Sequence, residues 1–121
     1  MTRVGLGKPH HKLEAWQQSM ALVTKVYAIT KPYPPEELYG LTAQIRRSAV
    51  SIPSNIAEGA ARKGQKEFAQ FLSIAAGSIS ELETQLLIGV NLGMLRSDHE
   101  IFDAWERVSK LVLGLRKSIQ I

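Results

Sequence analysis

Apolar residues recur at intervals of three and four along nearly the whole chain, and no segment shows the strict alternation of a half-buried strand. Leu13, Trp16, Met20, Val23 and Tyr27 mark one face of a first helix, which Leu22, Val26 and Ile29 widen beyond a coiled-coil seam. The stretch KPYPPEE, residues 31–37, ends it, because its prolines cannot continue a helix. Pro35, Glu36 and Glu37 suit the first turn of a second helix, where a missing N–H costs little and carboxylates meet the positive end of the dipole. That helix carries Leu38, Leu41, Ile45, Ala49, Ile52 and Ile56, and its period runs straight through Pro53. The unbroken register predicts one helix kinked at Pro53 rather than two helices, since Ile52 would be a poor N-cap for a new one.

Gly59, Gly64 and the run ARKGQ predict the next turn. Phe68, Leu72, Ala75, Ile79, Leu82 and Leu86 then outline a long third helix, with Gly77 and Ser78 placed to let a neighbour approach closely. Asn91 and Gly93 punctuate its end, and Ser97 and Asp98 offer caps for a fourth helix, whose stripe is Ile101, Trp105, Val108, Val112, Leu115 and Ile119. The expected fold is all-α: an antiparallel up-down-up-down four-helix bundle with a Pro-kinked second helix, spanning residues 12–121 behind a flexible basic tail at 1–11.

Composition changes this picture little. The chain has 121 residues, 45% hydrophobic and 21% charged, enough for one globular domain. It has no cysteine, which removes disulfides and thiolate metal sites. No apolar run has the length of a signal peptide or membrane span, so a cytoplasmic protein with no membrane partner is expected. A net charge of +4 and a pI near 9.6 favour anionic partners moderately.

The polar positions admit two readings. Gln44, Arg47, Ser48, Ser51, Asn55, Glu58 and Arg62 share one face of the second helix, while Gly77, Ser80, Glu81 and Thr84 line the third. These faces suit a hydrogen-bonded seam between helices or subunits, holding Asn55, Glu58, Glu81 and Glu83, with Glu81 or Glu83 pairing to Arg46 or Arg47. The competing reading makes Glu58 an acid–base group with Asn55 as orienting donor, but no histidine, cysteine or metal ligand stands at a completing distance in sequence. Asp98, His99, Glu100 and Asp103 are too close-set on a helix start to converge on a metal. No catalytic residue, metal or cofactor is therefore assigned, and no enzyme is expected.

Basic residues offer more. Arg46 and Arg47 lie mid-helix, Arg62, Lys63 and Lys66 surround the turn between the second and third helices, and Arg3, Lys8 and Lys12 belong to the tail or its junction. Such groups suit phosphate contacts. Trp16, Trp105, Phe68 and Phe71 fall at core spacing rather than among the charges, which argues against a stacking platform.

Two long blocks carry a resemblance. YGLTAQIRRSAVSIPSNIAEG, residues 39–59, and EFAQFLSIAAGSISELETQL, residues 67–86, closely resemble the four-helix bundle proteins first noted in intervening sequences of 23S ribosomal RNA genes, over about residues 13–119. The resemblance implies a small helical protomer assembling into a barrel-like ring, a homopentamer in related members. The chain is also similar to accessory variability proteins of diversity-generating retroelements, which implies binding of RNA or DNA and of a reverse transcriptase through a basic surface. Within the blocks, Arg46, Arg47, Ser54, Asn55, Glu58, Gly59, Gly77, Ser78, Glu81 and Glu83 fall on the family's polar and small positions. Two functions follow: an oligomeric nucleic-acid-binding accessory protein using Arg46, Arg47, Arg62, Lys63 and Lys66, or a protein-interaction scaffold in which the same arginines make salt bridges inside the assembly.

Overall fold

A computed structural model describes residues 8–119, in which every regular element is helical. After a 3-10 turn at Pro9–Lys12, the chain forms α1 (Glu14–Thr30), a second 3-10 turn (Pro35–Glu37), α2 (Leu41–Ala60), α3 (Gln65–Asn91) and α4 (Ile101–Ser118). Each helix packs on the next and α1 also packs on α4, while the diagonal pairs make no close backbone approach among the described residues. Four helices around one apolar centre result.

Helix α2 runs continuously through Pro53, with no loop between Ala49 and Ile56. Ile45, Ala49, Ile52 and Ile56 are fully buried on its core face, so the apolar register that crosses the proline is the face the fold buries. On α3 the stripe Leu72, Ala75, Ile79, Leu82 and Leu86 is likewise buried, and on α4 Ile101, Val108 and Val112. Trp105 only partly buries its ring, and its indole N–H donates to the Ile79 carbonyl at 2.8 Å, tying α4 to α3.

Helix α1 departs from its sequence pattern. Its buried face is Ala15, Ser19, Leu22, Val26 and Thr30, not the stripe through Trp16, Met20, Val23 and Tyr27. Met20 and Tyr27 are 44% and 41% exposed. The helix is apolar on two adjacent faces, and the face with the smaller side chains fits the core. Its two hydroxyls cost little there because Ser19 donates to the Trp16 carbonyl at 2.9 Å and Thr30 to the Val26 carbonyl at 2.8 Å.

The element boundaries correct two further expectations, at the starts of α2 and α4. Pro35–Glu37 is a separate turn, and Glu37 Oε1 instead accepts the Leu41 N–H at 3.0 Å, capping α2. A Cβ on Gly40 would lie 2.8 Å from that oxygen, so glycine leaves the carboxylate its place. Helix α3 ends in a Schellman motif: Gly93 has φ +79°, its N–H bonds the Val90 carbonyl, and the Met94 N–H bonds the Gly89 carbonyl. Neither Ser97 nor Asp98 caps α4. His99 does, its Nδ1 accepting the Ile101 N–H at 2.9 Å.

Candidate nucleic-acid interface

The α2–α3 pair supplies most of the polar positions. Ser51 and Ser78 face each other across it with their hydroxyl oxygens 2.7 Å apart, and the Asn55 side-chain N–H group donates to the Ser51 hydroxyl at 2.9 Å and to the Ser51 carbonyl at 2.8 Å. This chain satisfies the buried Ser78 and holds Asn55 in a seam within the protomer. Below it Gly59 is buried, and a Cβ there would lie 2.7 Å from the Phe71 Cβ and 2.9 Å from the Phe68 ring. Gly77, by contrast, faces open space and permits no close approach; Ser78 is the small residue that packs.

Within the protomer the carboxylates stand outside this seam. Glu58 is exposed and accepts from Arg62, four residues on in the α2–α3 turn, at 2.7 Å, so it stands apart from Asn55, and the acid–base pairing of the two is not assembled. Neither Glu81 nor Glu83 pairs with Arg46 or Arg47. Arg46 turns to α1, its Nε donating to Thr30 Oγ1 at 2.9 Å and its guanidinium lying 4.6 Å over the Tyr27 ring. Arg47 and Glu81 share a polar groove of about 340 Å³ with Gln44, Ser48, Ser51 and Gln85. Glu83 borders a different groove, between α3 and α4, with Trp105, Ser109 and Arg116. Among the described residues no three histidine, cysteine or acidic side chains converge as a metal site.

At the α2–α3 turn Arg62, Lys63 and Lys66 are all exposed. Lys63 and Lys66 have no carboxylate within 4.0 Å among the described residues, while Arg62, paired to Glu58, also lies 4.9 Å over the Phe71 ring. Aromatic rings therefore do stand near cations, against the expectation from core-like spacing. His10 and Trp16 pack edge to face with centroids 5.0 Å apart, and the His11 and Trp16 rings lie 5.3 Å apart. Burial against these rings, with His11 and Lys8 nearby, lowers the His10 pKa from its usual 6.5. The tail residue Arg3 lies outside the described residues. Sequence reasoning missed the exposed apolar groove between α1 and α2, about 340 Å³ and lined by Trp16, Met20, Val23, Val50, Pro53 and Ala57. The second apolar face of α1 was its only signal.

No curated protein matches this sequence. The family model described as 23S rRNA-intervening sequence protein matches residues 11–114, which takes in all of α1, α2 and α3 and most of α4. With both resemblance blocks inside that span, the chain belongs to the 23S rRNA-intervening sequence protein family.

Proposed function

We propose that this chain is a non-enzymatic, oligomeric nucleic-acid-binding accessory protein of the cytoplasm, built as an antiparallel up-down-up-down bundle that bends at Pro53. The observation carrying the binding role is the α2–α3 turn, where Lys63 and Lys66 stand exposed without ion pairs among the described residues, next to Arg62. Cations held by carboxylates would have to give up those partners to reach a phosphate; these two do not. Arg47 adds a further exposed cation. Arg46 is better read as a strut between α1 and α2, since Thr30 and Tyr27 already hold it.

Oligomerisation draws support from the apolar α1–α2 groove, where Met20 and Val50 are each at least 40% exposed. Ile74, Leu87 and Ile88 on α3 are exposed as well. An apolar groove on one side of the protomer and exposed apolar side chains on another suit a heterologous contact, which closes into a ring when the rotation allows. A homopentamer is the state the resemblance implies, and a ring would repeat the basic turn around its rim. A reverse transcriptase is the protein partner the same resemblance implies.

Light scattering at tens of micromolar tests the assembly, with a monomer rejecting it. A gel-shift series at low salt with RNA and DNA tests the binding: R62A/K63A/K66A is expected to weaken every complex alike while the assembly stays intact. An intact assembly that shifts neither RNA nor DNA replaces this function with the scaffold role, for which Arg46 and the Glu58–Arg62 pair are the internal contacts.

A further inference from the structure

The cations are not spread evenly along the bundle. Trp16 lies level with Ala57 across the α1–α2 groove, Ser51 with Ser78, and Ser73 shares a groove with Arg116. The start of α1, the α2–α3 turn and the last turn of α4 therefore lie toward one end of the bundle. That end carries Lys8, Lys12, Arg62, Lys63, Lys66, Arg116 and Lys117 against Glu14, Glu58 and Glu67. The opposite end, where Tyr33 packs on Gly89 and Arg46 reaches Thr30 at the last turn of α1, carries Lys31, Arg46 and Arg96 against Glu36, Glu37, Asp98, Glu100 and Asp103 among the described residues. Three segments far apart in sequence thus build one positive pole, and the far pole is negative.

We propose that the phosphate backbone of a single-stranded nucleic acid crosses this basic end, and that Lys12, Arg116 and Lys117 contact it together with Arg62, Lys63 and Lys66. The proposal rests on the nucleic-acid-binding function above and adds the surface. Cations on one end of a small bundle sum their potentials along a strand that crosses it, each screened over about 10 Å at 0.1 M salt. The acidic pole repels the same strand, so the bundle presents one end to it. Neither Arg116 nor Lys117 makes an ion pair among the described residues, leaving both available to phosphate.

The test compares two variants that each remove two positive charges, R116A/K117A at the basic end and K31A/R96A at the acidic end. Fluorescence anisotropy with labelled single-stranded RNA and DNA of mixed sequence reads affinity over a salt series. For R116A/K117A the log–log salt slope should flatten by about 1.4, or about 0.7 for each lost contact, and affinity at 0.1 M salt should fall by up to about 25-fold. K31A/R96A should leave the slope unchanged. R116K/K117R, which keeps both charges, should bind like the unaltered protein, and K117A alone at an exposed site should give half the slope change. Equal behaviour of RNA and DNA marks pure backbone recognition, and a preference for RNA marks contact with the 2′-hydroxyl. If R116A/K117A and K31A/R96A behave alike while R62A/K63A/K66A still weakens binding, the composite end is wrong and the function stands. If the unaltered protein binds neither nucleic acid, both fall.

Discussion

Replacing Gly59 by alanine should destabilise the protein, although the same change usually favours a helix. Gly59 lies inside α2, where alanine has the better helix propensity by about 1 kcal/mol. Its new Cβ, however, would sit 2.7 Å from the Phe71 Cβ, 2.9 Å from the Phe68 Cδ1 and 3.3 Å from the Phe68 carbonyl oxygen. A Cβ and a carbonyl are fixed to the α3 backbone, so no rotamer change relieves the contact. The helices must separate by about 1 Å to restore ordinary contact distances. Overpacking of this kind costs about 1–3 kcal/mol. With a cost near the upper end and the propensity gain subtracted, the net loss is about 1–2 kcal/mol. Unfolding entropies near 2.1 cal/mol/K per residue make that a fall in Tm of about 4–8 °C. Gly77→Ala and Gly114→Ala are the controls, since a Cβ at either site meets nothing within 4 Å. These should stabilise by about 0.5–1 kcal/mol, by propensity alone. Urea unfolding of the three variants under one condition gives the comparison. If Gly59→Ala is neutral or stabilising like its controls, the α2–α3 approach is not as close as described.

Two further outcomes follow from the seam and the N-terminal turn. Ser78→Ala strips Ser51 of one partner and should cost about 1 kcal/mol, whereas S51A/S78A, which removes both hydroxyls, should cost less than the two single losses summed; additive urea-unfolding values would show that the 2.7 Å contact carries no coupling. The His10 ring should titrate below 6.5 in an NMR pH series, because burial first, then His11 and Lys8, disfavour its charged form. The unfolded chain then binds the proton more readily. Any stability from this site is complete above the unfolded value and is lost as pH falls toward the folded one. A His10 titrating at or above 6.5 would mean that the packing of the turn on Trp16 does not hold in solution.

The sequence by itself determined the number, type and order of the helices, because a stripe of Ile, Leu and Ala at steps of three and four has one efficient way to leave water. On α2 and α3 it also determined which residues form the core, down to the continuation through Pro53, since on each of those helices one continuous apolar stripe runs along the buried side. Tertiary structure decided the rest. Helix α1 is apolar on two faces, and only its packing between α2 and α4 selected Ala15, Ser19, Leu22, Val26 and Thr30 for the interior, leaving Met20 and Tyr27 outside. The roles of the arginines were hidden for a similar reason. Arg46 and Arg47 are neighbours in sequence, but a helix turns about 100° between them. One therefore reaches Thr30 and Tyr27 on α1 while the other opens onto the α2–α3 groove. Charge followed the same logic: Lys12, Lys63 and Arg116 are separated by 51 or more positions, and no periodicity relates them. Only the lengths of the helices and the positions of their turns brought these cations to one end, because electrostatic potential sums over distance in space and takes no account of distance along the chain.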